Sequence, residues 1–123
     1  MAASNDIRAS GYDVFAEACP SRQVFEQISS KWGLLVLARL SDGPLRFRDL
    51  YRAIGGISER MLSTTLKKLE ESNLVLRRER EDTPRRVEYH LTASGSRLSE
   101  GVGGLIDLLY AELERENRSA GAG

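Results

Sequence analysis

Between residues 45 and 92 the spacing of apolar side chains switches from a helical to an extended period, and this switch constrains the fold more than any other feature. Residues 47–54 have the pattern of a short helix, and Gly55-Gly56 follows as a turn. A second helix opens at Ser58, where Leu62, Leu66 and Leu69 recur at i, i+4 and i+7 and share one stripe. Further on, Val87, Tyr89 and Leu91 alternate with Glu88 and His90, the period of a half-buried strand over residues 85–91. Its partner is residues 75–80, and Glu81-Asp82-Thr83-Pro84 pinches the two into a hairpin. Two helices joined by a tight glycine-containing turn form a helix-turn-helix unit. A hairpin directly behind such a unit is a wing. The expected fold is α+β and mostly helical: a winged helix-turn-helix with a two- or three-stranded wing at residues 75–91 and terminal helices for dimerisation.

The rest of the chain supplies those flanking helices. Pro20 suits the first turn of a helix, where its missing N–H has no partner to lose, and Val24, Phe25 and Ile28 follow on one side. A helix from Lys31 is expected to bury Trp32, Leu35, Val36 and Leu40 and to stop at Ser41-Asp42-Gly43-Pro44. Residues 45–47 are the candidate third strand. Thr92-Ala93-Ser94-Gly95 opens the last helix, residues 95–116, in which Leu98, Val102, Leu105, Ile106, Leu109 and Leu113 recur at spacings of three and four. Two readings of that stripe stay open: it closes the protein's own core, or it meets a second copy. The second is preferred, because a reader of palindromic DNA needs a twofold axis. Gly101, Gly103 and Gly104 weaken the helix in isolation by about 1 kcal/mol each. Residues 1–13 and 117–123 are expected as a flexible arm and tail around one domain at residues 14–116.

Composition narrows the function. Apolar residues at 41% and charged residues at 29% of 123 describe an ordinary globular chain. The longest apolar run, residues 34–38, is far short of the ~20 residues that span a bilayer. Residues 1–13 lack the basic and apolar blocks of a secretory signal, so the expected compartment is the cytoplasm. A single cysteine excludes an intrachain disulfide and a cysteine-clustered metal site. With one histidine, His90, and no phosphate loop, HExxH or CxxC, catalysis has no visible machinery. No enzyme, cofactor or metal is expected, and no membrane partner.

The formal net charge of zero looks unfavourable for a nucleic-acid binder, but the charge is unevenly distributed. Residues 46–91 carry eleven basic and eight acidic groups, a net of +3, while residues 1–45 and 92–123 carry −1 and −2. Phosphate contacts depend on local charge. Opposite the leucine stripe of the second helix lie Arg60, Thr64, Lys67 and Glu71, with Ser63 and Lys68 at the margins. Arginine, hydroxyl and lysine side chains suit base edges and phosphates. The candidate contacts are Ser58, which also suits the helix N-cap, with Arg60, Ser63, Thr64, Lys67 and Lys68. The hairpin brings Arg77, Arg78, Arg80, Arg85 and Arg86, and guanidinium forks phosphate bidentately. Of these Arg77, Arg78, Arg85 and Arg86 are the favoured contacts. A charged edge that merely resists strand aggregation is the alternative, and a winged-helix protein-interaction module without DNA is the alternative function.

These residues together resemble a known family. Cys19-Pro20, Lys31-Trp32, Gly43-Pro44-Leu45-Arg46-Phe47, Gly56-Ile57-Ser58, Arg60 with Leu62, and Leu66-Lys67-Lys68-Leu69 are similar to the HxlR-type bacterial transcriptional regulators. Pro84-Arg85-Arg86-Val87-Glu88-Tyr89, Leu91-Thr92, Gly95 and Leu98 complete the likeness. Ser30 stands where a glycine is common before the Lys-Trp pair, and Tyr110 where a tryptophan is often found. The resemblance implies a homodimeric repressor on a pseudo-palindromic operator in double-stranded DNA, with residues 58–72 as recognition helix and residues 77–86 as wing. Some members sense electrophiles or oxidants through a cysteine near the first helix, the place of Cys19. If Pro20 is the first helical residue, Cys19 is the N-cap, where the helix dipole favours thiolate. A packing role for Cys19, with another small-molecule ligand as effector, is the other reading.

Overall fold

The computed structural model describes residues 11–83 and 86–122. Among the described residues seven elements follow one another: α1 (Pro20–Ser29), α2 (Lys31–Leu40), α3 (Phe47–Ala53), α4 (Glu59–Glu71), β1 (Val75–Glu79), β2 (Val87–Leu91) and α5 (Ala93–Ala122). The strands form one antiparallel pair with Val75 opposite Leu91, Arg77 opposite Tyr89 and Glu79 opposite Val87. The candidate third strand is a single bridge, Leu45 to Tyr89, with both backbone bonds made, at 2.8 and 3.2 Å. Fold class and order thus match the expectation.

Local chemistry explains the boundaries. Ser30 caps α2 by accepting from the Gly33 N–H at 3.0 Å, so the departure from glycine at this position has a structural use. Ser58 caps α4 the same way, accepting from the Met61 N–H at 3.0 Å. Between α3 and α4, Gly56 has φ +84°, a region costly for any residue with a Cβ. The other end of α4 closes in a Schellman motif: the Leu74 N–H reaches the Leu69 carbonyl and the Asn73 N–H that of Glu70, both at 2.9 Å. Asn73 takes the left-handed conformation this requires, φ 60°.

The core gathers Val36, Leu37 and Leu40 of α2, Leu50 of α3, Leu62, Leu66 and Leu69 of α4, and Leu74, Val75, Tyr89 and Val102. The leucine stripe of α4 therefore faces inward, as its period requires. One joint ties that core to α5. The Thr92 hydroxyl donates to the Asn73 carbonyl at 2.8 Å and accepts from the Gly95 N–H at 2.9 Å, capping α5 against the end of α4. Gly95 lies against the Leu74 carbonyl so closely that a Cβ there has no room.

Four expectations need correction. Trp32 and Leu35 are half-buried rather than buried: Trp32 borders an open hollow between α1 and α4, and Leu35 another beside Ala53, Ile54 and Ile106. Phe25 is exposed, while Val24 and Ile28 of the same pattern are partly buried against the core. The last helix does not stop at residue 116 but continues through Ala122, where alanine favours helix and Arg118 pairs with Glu114 one turn back at 3.9 Å. Val102, expected at a dimer contact, is buried in the protein's own core, with Ile106 packed beside it. The expected arm falls mainly on residues outside the described set; within it, Asp13 is held by a contact to Cys19.

Candidate nucleic-acid interface

Burying Leu62, Leu66 and Leu69 rotates the opposite side of α4 outward, and Arg60, Ser63, Thr64, Lys67 and Lys68 are all exposed there. Arg60, Lys67 and Lys68 make no ion pair among the described residues. Their charge is thus available to an external partner rather than spent at home. Ser58 is exposed too, but its oxygen already serves as the helix cap, so its local role is structural.

The hairpin is less uniform than its arginine count. Side chains alternate across a strand, so Arg77 shares a face with Tyr89 and Val87, while Arg78 shares the other with Glu88 and His90. Arg77 and Arg78 are exposed. Arg80 is committed: it forks Asp82 at 2.9 and 2.7 Å and reaches Glu88 at 3.6 Å. Asp82 raises the Arg80 pKa further, first through that hydrogen bond, and is itself held below the usual carboxylate range by it. Arg86 is half-buried, its Nε shut off from solvent without an acceptor among the described residues. Arg85 lies outside the described residues. His90 is half-buried with Nε2 3.6 Å from Glu88.

Two further basic residues belong to this region. Arg48 and Arg52 lie one turn apart on α3, exposed, and make no ion pair among the described residues. Their i, i+4 spacing opposite Leu50 and Ile54 was the available signal. Arg39, by contrast, is occupied, donating from Nε to the Ala53 carbonyl at the end of α3 at 3.0 Å.

Cys19 is the N-cap of α1 with Pro20 inside the first turn. Its Sγ accepts from the Ser21 hydroxyl and from the Asp13 N–H, each at 3.3 Å. Hydrogen bonds from the Ser21 side chain, then from the Asp13 and Ser21 backbone, lower the thiol pKa from its ordinary value. Beside it an apolar hollow of about 430 Å³ is lined by Tyr12, Val14, Pro20, Phe25, Ile28 and Leu98, among others. On α5, Leu98, Leu105, Leu109 and Leu113 are exposed, together with Leu108 and Tyr110, which the spacing argument omitted. Among the described residues no helix is long and apolar enough to cross a membrane.

Comparison with known proteins agrees with this architecture. A regulator of Escherichia coli strain K12, YtfH, is 44% identical over 101 residues, covering 82% of this chain and 80% of its own. The solved structure of a putative transcriptional regulator, ytfH, from Salmonella typhimurium superposes with a TM-score of 0.76 at 40% identity, over 88% of this chain and 96% of that one. The diamide-treated form of YodB from Bacillus subtilis superposes at 0.64 with 32% identity, over 75% and 92%. The family profile described as HxlR-like helix-turn-helix matches residues 27–117, from the end of α1 into the last turns of α5. This chain belongs to that family and is a transcriptional regulator of the winged-helix type.

Proposed function

We propose that the chain is a homodimeric, sequence-specific DNA-binding repressor, released from its operator when an electrophile or oxidant modifies Cys19. The observation that carries the DNA half is the outward face of α4, where Arg60, Ser63, Thr64 and Lys67 stand unpaired on a helix anchored by three buried leucines. Such a helix enters a major groove, with base edges within reach of the arginine and hydroxyls. Arg48 and Arg52 on the first helix of the unit grip phosphates beside it, since that helix crosses the backbone. Arg77, Arg78, Arg85 and Arg86 hold the flanking duplex. Arg80 contributes little, being occupied by Asp82 and Glu88.

The exposed leucines of α5 and the aromatic residues Tyr12, Phe15 and Phe25 support the twofold partner. A large unburied apolar surface on a chain this small favours association. Two copies then present two recognition helices, and a pseudo-palindrome with half-sites about one helical turn apart is expected.

The test is a salt titration of binding to the promoter beside its own gene. Affinity should fall steeply with salt as phosphate contacts release counterions. Absence of promoter binding, together with salt-insensitive association with a protein partner, favours the protein-interaction alternative.

The sensing half is supported by the donors on Cys19, which stabilise the nucleophilic thiolate. A quinone would be attacked at a ring carbon by the thiolate, and the added proton with the displaced ring hydrogen ends on its two oxygens, leaving a thioether-linked hydroquinone. Diamide oxidises two thiols to a disulfide and becomes the hydrazine, so the second thiol must come from another copy or a small thiol. Cys19→Ser should bind the promoter as the wild type does yet resist release by diamide. Equal release of both proteins eliminates the sensor.

A further inference from the structure

The outward side of α4 also borders a cavity, and Thr64 and Lys68 of the candidate DNA contacts stand on its wall. It lies between α1 and α4, has a volume of about 370 Å³, and is lined chiefly by Gln23, Gln27, Trp32, Met61, Thr64 and Lys68. Small-molecule sites typically span ~300–1,000 Å³, so this one suits a single-ring compound. Trp32 and Met61 provide apolar surface, Gln23, Gln27 and Thr64 neutral hydrogen-bonding groups, and Lys68 a cation with no ion pair among the described residues. The carboxylate on the wall, Glu26, is engaged by Arg22 at 3.1 Å. The Lys31 ammonium, 4.4 Å from the Trp32 ring centroid, adds further positive charge beside the indole. Gln27 holds an Oε1 that is shut off from solvent and has no donor among the described residues. Such an acceptor is costly to leave unpaired.

We infer that this cavity binds a small aromatic carboxylate carrying a ring hydroxyl. The ring packs on Trp32 and Met61, the carboxylate meets Lys68, and the hydroxyl donates to the Gln27 carbonyl oxygen once that amide turns toward it. Occupancy removes Lys68 and Thr64 from the DNA-facing surface, so the ligand competes with the operator. The binding itself stands apart from the DNA reading; only the competition rests on it.

Trp32 is the single tryptophan of the chain and stands on the wall of this cavity, so its fluorescence reports occupancy. Titrating 4-hydroxybenzoate into the full-length protein should quench that emission saturably, and more tightly than benzoate. Lys68→Met, an exposed substitution, should weaken the binding about tenfold or more through loss of one charge-assisted hydrogen bond. Thr64→Val, checked for native circular dichroism, should weaken it less. Absence of saturation at millimolar ligand, or equal affinity in Lys68→Met, overturns the site. In a second arm, DNA affinity of the wild type should fall in proportion to the occupancy read from quenching. Saturated quenching with unchanged DNA affinity overturns the competition. A protein that binds no DNA defeats the repressor reading while the fluorescence arm still decides the site.

Discussion

The helices α4 and α5 carry similar apolar stripes and meet opposite fates. In α4, Leu62, Leu66 and Leu69 are at most 1% exposed, so its hydrophobic side is fully satisfied within one copy and its polar side is free for an outside partner. In α5 only the first half is used that way, through Gly95, Ser99 and Val102, with Ile106 beside them. Beyond it Leu105 is 58%, Leu108 65% and Leu109 53% exposed. The same pattern therefore has two meanings. A stripe matched by a neighbouring surface anchors a fold, and a stripe that outruns its neighbours marks a place for a second molecule.

The largest expected difference follows directly. Leu66→Ala removes a fully enclosed side chain and should cost about 2–5 kcal/mol in urea denaturation. Leu105→Asp, on the open stretch of α5, should leave the stability of an isolated copy within about 0.5 kcal/mol. It should instead shift sedimentation from dimer toward monomer. Equal loss of folding stability from both would erase the distinction between the helices.

The α4 stripe was legible because three leucines in register leave one way to turn a helix against a core. The fate of α5 was not, because apolar spacing says which side is buried but not by whose atoms. Val102 and Leu105 read alike in sequence, yet one is enclosed by α2 and its neighbours and the other lies beyond their reach. The wing shows a similar limit. Five arginines look equivalent until the backbone brings Asp82 and Glu88 onto Arg80 and sends Arg77 and Arg78 to opposite faces. At Cys19, Pro20 revealed the N-cap position, whereas the donor from Asp13 needed the chain to fold back six residues. The extension to Ala122 is not legible in composition, because Ser119, Ala120 and Gly121 resemble a tail although alanine sustains helix.

A smaller contrast sharpens the same comparison at two glycines of α5. Gly95→Ala forces a methyl against the Leu74 carbonyl and should destabilise by about 1–3 kcal/mol in thermal or urea unfolding. Gly103 meets nothing within 4 Å in a single copy. Gly103→Ala should therefore raise helix stability by up to about 1 kcal/mol, unless a second copy packs on it, in which case the dimer weakens instead.

The smallest effect concerns a rate rather than stability. Because the Cys19 pKa is lowered, thiolate persists to lower pH than in an ordinary cysteine. Capture by iodoacetamide should then rise with a midpoint below the usual thiol value of about 8.5. Ser21→Ala, which removes the first of its donors, should move that midpoint upward. A profile that matches free cysteine and ignores Ser21→Ala would leave Cys19 without activation.

The reading of α4 itself is tested most directly by Arg60→Ala against a panel of promoter duplexes, each with one base pair changed. An arginine bidentate to guanine contributes about 1–3 kcal/mol of discrimination. The account predicts that the substitution flattens the preference at one position of each half-site and leaves the others intact. A uniform drop in affinity across the whole panel, with every base preference retained, would contradict it.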